Sequence, residues 1–78
     1  MSLILNDAHK SLIRRMRRKE PLTSTRASGQ FWIDTYDIVI NSTAKELLLA
    51  DIIAVDDESS DVSNISYELT ETGKTIIL

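Results

Sequence analysis

From Ser63 to Leu69 the apolar residues Ile65, Tyr67 and Leu69 alternate with Asn64, Ser66 and Glu68. A period of two is the mark of a strand with one dry face and one wet face. Ahead of it, Ile52-Ile53-Ala54-Val55 forms a second extended run, and the acidic stretch Asp56 to Asp61 separates the two. The pattern predicts a β-hairpin with strands near 52–57 and 63–69, joined through Asp57-Glu58-Ser59-Ser60-Asp61-Val62.

A different period governs the N-terminal quarter. Ala8, Leu12 and Met16 recur at the three-to-four-residue spacing of one buried helical face, with Ile13 adjoining and His9 beside Ala8. Asn6 suits the capping position and Asp7 the positive end of the helix dipole. Glu20-Pro21 stops the helix, because the residue before a proline is pushed out of helical geometry. The spacing predicts a helix over 7–19 with its arginines turned to water. A second helix is predicted over 42–50, capped by Asn41 or Ser42, with Ala44, Leu47 and Leu48 inward.

Residues 22–41 obey neither period. Leu22-Thr23-Ser24-Thr25 reads as a short strand. Thr25-Arg26-Ala27-Ser28 has the composition of a helix opening, yet Gly29 and Phe31-Trp32-Ile33 do not continue a helical stripe. The aromatic and β-branched residues of Phe31-Trp32-Ile33-Asp34 and Tyr36-Asp37-Ile38-Val39-Ile40 favour extended chain. Two alternatives stand for this segment, a short distorted helix or an extended excursion. At the far end, either Thr70 caps a short helix reaching Ile77 or Thr75-Ile76-Ile77 extends the sheet. The class is α+β, with Leu12, Met16, Leu47, Leu48, Ile53, Ile65, Tyr67 and Leu69 as its expected core.

Thr43-Ala44-Lys45-Glu46-Leu47-Leu48-Leu49-Ala50-Asp51-Ile52-Ile53, the acidic connection and Tyr67-Glu68-Leu69-Thr70-Glu71-Thr72-Gly73-Lys74 together resemble the second half of a winged helix-turn-helix domain. The likeness covers roughly residues 42–76. It implies a small winged-helix-like domain over 1–78, whose helix at 42–50 enters the major groove of DNA while the hairpin, as the wing, lies on the backbone. It also implies a positioning helix within 22–41, where this sequence departs from the pattern, and a left-handed Gly at the end of the second helix, where Asp51 stands; Asp tolerates that conformation less well than Gly but better than most residues.

Chemistry-bearing constellations are scarce. The absence of cysteine excludes disulfides, thiolate zinc sites and cysteine nucleophiles. His9, the one histidine, has no second histidine or cysteine with which to share a metal. Asp56, Asp57, Glu58 and Asp61 are cation-ligand types but lack the Gly-containing loop of a calcium hand. Asp34 and Asp37 lie close enough in sequence for paired acid–base work, without an accompanying pocket signature. The expectation is a protein that is not an enzyme and has no cofactor, metal or small-molecule ligand. The longest apolar runs are too short to cross a bilayer, and Met1-Ser2-Leu3-Ile4-Leu5 lacks the parts of a signal peptide, so the expected setting is cytoplasmic, away from membranes.

Net charge is −3, but the signs are segregated: seven of the nine basic residues lie between Lys10 and Arg26, and ten of the twelve acids lie from Asp34 onward. Such a split points to a partner for each sign, to a self-partner, or to a solvated surface. For a DNA-binding, transcription-regulatory accessory protein acting on double-stranded DNA, the contacts would be Arg14, Arg15, Arg17, Arg18, Arg26, Thr43 and Lys45, because phosphate neutralisation needs Lys and Arg. The competing class is a protein-interaction module, a homodimer or an adaptor or inhibitor of the phage and mobile-element kind. Its contacts would be Trp32 and Tyr36 as aromatic anchors and the acids Asp56, Asp57, Glu58 and Asp61. The wing has the wrong sign for phosphate.

Overall fold

The computed structural model describes residues 3–34 and 36–78. Its elements run α1 (Asp7–Arg17), β1 (Leu22–Thr25), β2 (Phe31–Ile33), β3 (Asp37–Val39), α2 (Asn41–Leu49), β4 (Ile53–Asp56), β5 (Asn64–Leu69) and α3 (Glu71–Thr75). The five strands form one antiparallel sheet in the order β3-β2-β1-β5-β4. The expected α+β class, both long helices, the C-terminal hairpin and the short closing helix are all present. Of the two alternatives for 22–41, the extended one holds, as the three strands β1 to β3. They occupy the place where a positioning helix was implied, so among the described residues no helix lies between Arg17 and Asn41.

Antiparallel partners share a face of the sheet. Registers Leu22↔Ile33, Leu22↔Tyr67, Phe31↔Val39 and Ile53↔Leu69 place these residues on one side. That side meets Leu12, Ile13 and Met16 of α1 and Ala44 and Leu47 of α2 in a single core cluster with Leu22, Phe31, Ile33, Ile52 and Ile53. Half of the expected core is fully buried: Leu12, Met16, Leu47 and Ile53. Leu48, Tyr67 and Leu69 pack against the cluster only partly buried, and Ile65 is likewise half-buried. Leu22, Phe31 and Ile33 join them in the fully buried cluster, on the central strand β1 and its neighbour β2. Tyr67 stays structural: its ring is tilted against Phe31 at 5.2 Å and its hydroxyl meets Ser24 Oγ at 2.9 Å.

Helix ends explain the boundary differences. α1 starts with a capping box in which His9 holds the position normally taken by Glu or Gln. Asn6 Oδ1 accepts from the His9 backbone N–H at 2.9 Å, and His9 Nδ1 accepts from the Asn6 backbone N–H at 3.0 Å. With Nδ1 accepting, the ring proton is on Nε2, which donates to Glu46 Oε1 of α2 at 3.2 Å. The histidine is thus a buried link between two helices. α1 stops at Arg17 rather than Lys19 because Lys19 turns left-handed, φ 71°. The Lys19 and Glu20 N–H groups donate back to the Met16 and Arg15 carbonyls, the paired bonds of a Schellman ending. α2 ends the same way: Asp51 has φ 61°, and Asp51 and Ile52 donate to the Leu48 and Leu47 carbonyls. The start of α2 departs from expectation. Ile40 is its N-cap and makes no side-chain cap, because the Asn41 side chain is diverted to accept from the Phe31 N–H at 3.1 Å.

The Tyr67–Lys74 segment works as a latch. Thr70 donates through its N–H to the Ile52 carbonyl at 3.0 Å and through its hydroxyl to the Asp51 carbonyl at 2.6 Å, while its Oγ1 accepts from the Gly73 N–H. α3 is thereby pressed on the end of α2 so closely that a Cβ on Gly73 would overlap the Ile52 carbonyl oxygen. Glycine is required there by space, whereas at Lys19 the backbone is the glycine-favouring part. Gly73→Ala is therefore expected to lose about 1–3 kcal/mol as an overpacked contact. Lys19→Gly is expected to gain about 0.5–1 kcal/mol, the left-handed strain relieved less the added freedom of the unfolded chain. Urea unfolding midpoints of the two variants check both signs.

Candidate interaction surface

The arginines expected to face phosphate divide into two groups. Arg15, Arg17 and Arg26 are used within the fold. Arg15 bridges Glu20 and Asp37, each at 2.7 Å, fastening the end of α1 to β3. Arg17 donates to the Gly73 carbonyl at 3.1 Å and the Ile76 carbonyl at 2.6 Å, closing the last turn of α3. Arg26 donates through Nε to the Asp61 carbonyl at 2.9 Å, tying the β1–β2 turn to the wing. Arg14 on α1 and Arg18 at its C-cap remain exposed, four residues apart on one face, and Arg18 has only a 3.4 Å contact with Glu20. On α2, Lys45 is exposed, but Thr43 is buried at 6% exposure. Of the seven, Arg15 and Thr43 line the same groove between α1 and β3, while Arg26 lies on the β1–β2 turn and Lys45 on α2.

In the wing, two of the four acids build the loop. Asp61 Oδ1 accepts from the Ser63 and Asn64 N–H groups at 2.8 and 2.7 Å. Asp56 accepts from Ser59 and, through its carbonyl, from the Ser60 hydroxyl. Asp57 and Glu58 are exposed at the tip. Among the described residues, no group of three or more His, Cys, Asp or Glu is placed to hold a metal ion, and no helix is long and apolar enough to cross a membrane.

The aromatic segment is where the surface is unusual. Trp32 is half-buried on the side of the sheet away from the helices, in the cross-strand row Ile38–Trp32–Thr23–Ser66–Asp56, and its Nε1 donates to Thr25 Oγ1 at 3.3 Å. Next to it, β3 is an edge strand. Tyr36, Ile38 and Ile40 on and beside that strand are 87%, 78% and 68% exposed. The Val39 carbonyl turns toward β2, where the Gln30 side-chain amide donates to it at 3.0 Å. Alternation along an antiparallel strand then points the Ile38 N–H and C=O outward. Behind the edge, a groove of about 160 Å³ runs between α1 and β3, lined by Ala8, Ser11, Leu12, Arg15, Ile33, Ile38, Val39, Ile40 and Thr43. A wider depression of about 440 Å³ at the other end of α1 is lined by charges of both signs, among them Arg17, Lys19, Glu20, Glu68 and Lys74.

Of the two aromatic residues the sequence offered as anchors, Tyr36 is exposed and Trp32 half-buried, while Ile38 and Ile40 were not singled out. Their spacing with Tyr36 is a period of two, which reads equally as core; only the position of β3 at the sheet edge leaves all three in water. No family model, curated protein or solved structure matches the chain.

The bond from Arg15 holds the Glu20 carboxyl below its ordinary value of 4.5, and the two carboxylate partners hold the Arg15 guanidinium above its own. A depressed carboxyl stabilises the fold fully above the unfolded value and loses that contribution as pH falls toward the folded one. Glu20→Gln is accordingly expected to be less stable than the natural chain at neutral pH. The gap should narrow as pH drops below about 4.5, the ordinary carboxylate range. Urea midpoints measured at pH 7 and in mild acid test this.

Proposed function

We propose that this small α+β domain is a non-catalytic protein-interaction module that docks an extended segment of a partner along β3. The observation that carries the reading is the open edge: outward backbone groups at Ile38, flanked by three exposed apolar side chains. Strand addition to such an edge draws affinity from main-chain hydrogen bonds and selectivity from alternate side chains. Tyr36, Ile38 and Ile40 supply the apolar contacts, and Trp32 broadens the platform on the outer face. The acids Asp57 and Glu58 at the wing tip lie on a different part of the molecule and suit solubility or a second, basic contact.

A second reading, duplex DNA binding, is supported by one observation, the exposed pair of Arg14 on α1 and Arg18 at its C-cap. Two arginines and Lys45 form a small electrostatic footprint. The groove-facing mode implied by the winged-helix likeness draws no support from Thr43, which is buried, or from an acidic wing tip, which repels phosphate.

The readings separate in two titrations. Peptides selected on the immobilised domain from a random display library should alternate apolar and polar residues. They should bind at least tenfold more weakly to Ile38→Lys and equally well to Asp57→Ala. Anisotropy with a labelled nonspecific duplex should show no appreciable binding at moderate salt. Tight duplex binding whose slope against log salt flattens by about one to two units in the Arg14→Ala, Arg18→Ala double variant would move the function to nucleic acid.

A further inference from the structure

We infer that the occupant of the β3 edge is a second copy of this chain, paired antiparallel across a two-fold axis at Ile38; the inference rests on reading β3 as a docking edge. The register follows from the strand itself. A two-fold axis through Ile38 sets Tyr36 against the partner's Ile40 and Ile38 against its own equivalent, so all three exposed apolar residues meet apolar residues. Aromatic and β-branched pairs of this kind stabilise antiparallel seams. The same axis makes Ile38 a hydrogen-bonded pair, which requires its N–H and C=O to point outward, as they do.

Charge excludes one neighbouring register and strand length the other. An axis at Asp37 would set two carboxylates opposite each other, a destabilising arrangement. An axis at Val39 would run Tyr36 past the end of the strand and against Ser42, inside α2. With the axis at Ile38, each Asp37 faces the partner's Val39 and keeps its own Arg15 at 2.7 Å. No unpaired charge enters the seam. The contact is isologous and closed, and it joins two five-stranded sheets into one.

The area sets the strength. Three exposed side chains per copy cover on the order of 400 Å², about half of the ~800 Å² per partner of a standard interface. The dimer should therefore sit at the weak, transient end of interfaces and appear only as concentration rises.

Sedimentation velocity over a concentration series tests this, with a site-specific cross-link to fix the register. The natural chain should move from monomer toward dimer as concentration rises. Ile38→Lys should remain monomeric throughout while keeping its thermal unfolding midpoint at low concentration. Because the chain has no cysteine, Ile38→Cys gives a single thiol. Two such thiols face each other at a Cα separation of about 5.5 Å, within disulfide reach, and should oxidise to a linked dimer. Tyr36→Cys should not link to itself but should link to Ile40→Cys when the two are mixed. A monomer at every concentration, a dimer that survives Ile38→Lys, or self-linking of Tyr36→Cys as readily as Ile38→Cys overturns the inference. If the natural chain is monomeric while selected peptides still lose affinity on Ile38→Lys, self-pairing fails and the docking edge stands. Loss of both removes the docking edge too.

Discussion

The pairing of β1 with β5 holds the two halves of the chain together. β1 follows the first helix and carries the β1–β2–β3 meander on one side; on the other, Leu22, Thr23, Ser24 and Thr25 pair with Tyr67, Ser66, Ile65 and Asn64. The partners lie some forty residues apart in sequence, so neither half has a complete sheet until this seam closes. Loop closure of that length costs chain entropy before it is offset by burial. The offset is local to the seam: Leu22 is fully buried, Tyr67 leans on Phe31, and the Ser24 and Tyr67 hydroxyls satisfy each other inside. Once β5 is placed, Thr70 sets α3 on the end of α2, and β4 follows as the neighbour of β5.

The basic residues take on a different meaning against that framework. Clustered in sequence, they read as a partner-facing patch, yet three of them fasten pieces that the sheet alone leaves loose. Arg15 fixes β3 to α1 through Asp37, Arg17 closes α3, and Arg26 holds the wing. Guanidinium suits these tasks, since its several donors reach carbonyls and carboxylates in fixed directions. In a chain this short, with a small core, such links contribute to shape as much as to charge. Of the three arginines, only Arg15 pairs with an acid from the later part of the chain, Asp37; Arg17 and Arg26 bond backbone carbonyls.

What could be read from the sequence followed periodicity. The 3.6-residue stripe of Leu12 and Met16 and the two-residue alternation of Ile65, Tyr67 and Leu69 located α1 and β5 within one or two residues. The left-handed ending at Asp51 came from the winged-helix likeness, whose pattern has Gly at that place. Residues 22–41 resisted for a physical reason. β2 and β3 are three residues each, too short to display a period, and their identity as strands comes from partners elsewhere. The burial of Thr43 and the diversion of the Asn41 side chain to Phe31 likewise depend on which strand lies beside α2. His9 in the capping box could have been found from Asn6 three positions earlier, had histidine been weighed as a substitute for Glu or Gln.

The two edges of the sheet are not equivalent, and the difference bears on function. Open edges invite pairing with other chains, and proteins usually guard them with charge, proline, bulges or a covering loop. β4 has such guards: it ends in Asp56, and the wing folds back over its end through the Ser60 and Ser66 hydroxyl bonds. β3 is guarded only by its shortness, three residues, and by one charge. Its one charge, Asp37, is engaged by Arg15, and the residues beside it are tyrosine and isoleucine rather than lysine. Ile38 and Ile40 stand largely in water, so the fold gains little burial from them. An apolar edge of this kind, in a chain that guards its other edge more fully, is the observation behind the proposed docking of an extended segment along β3.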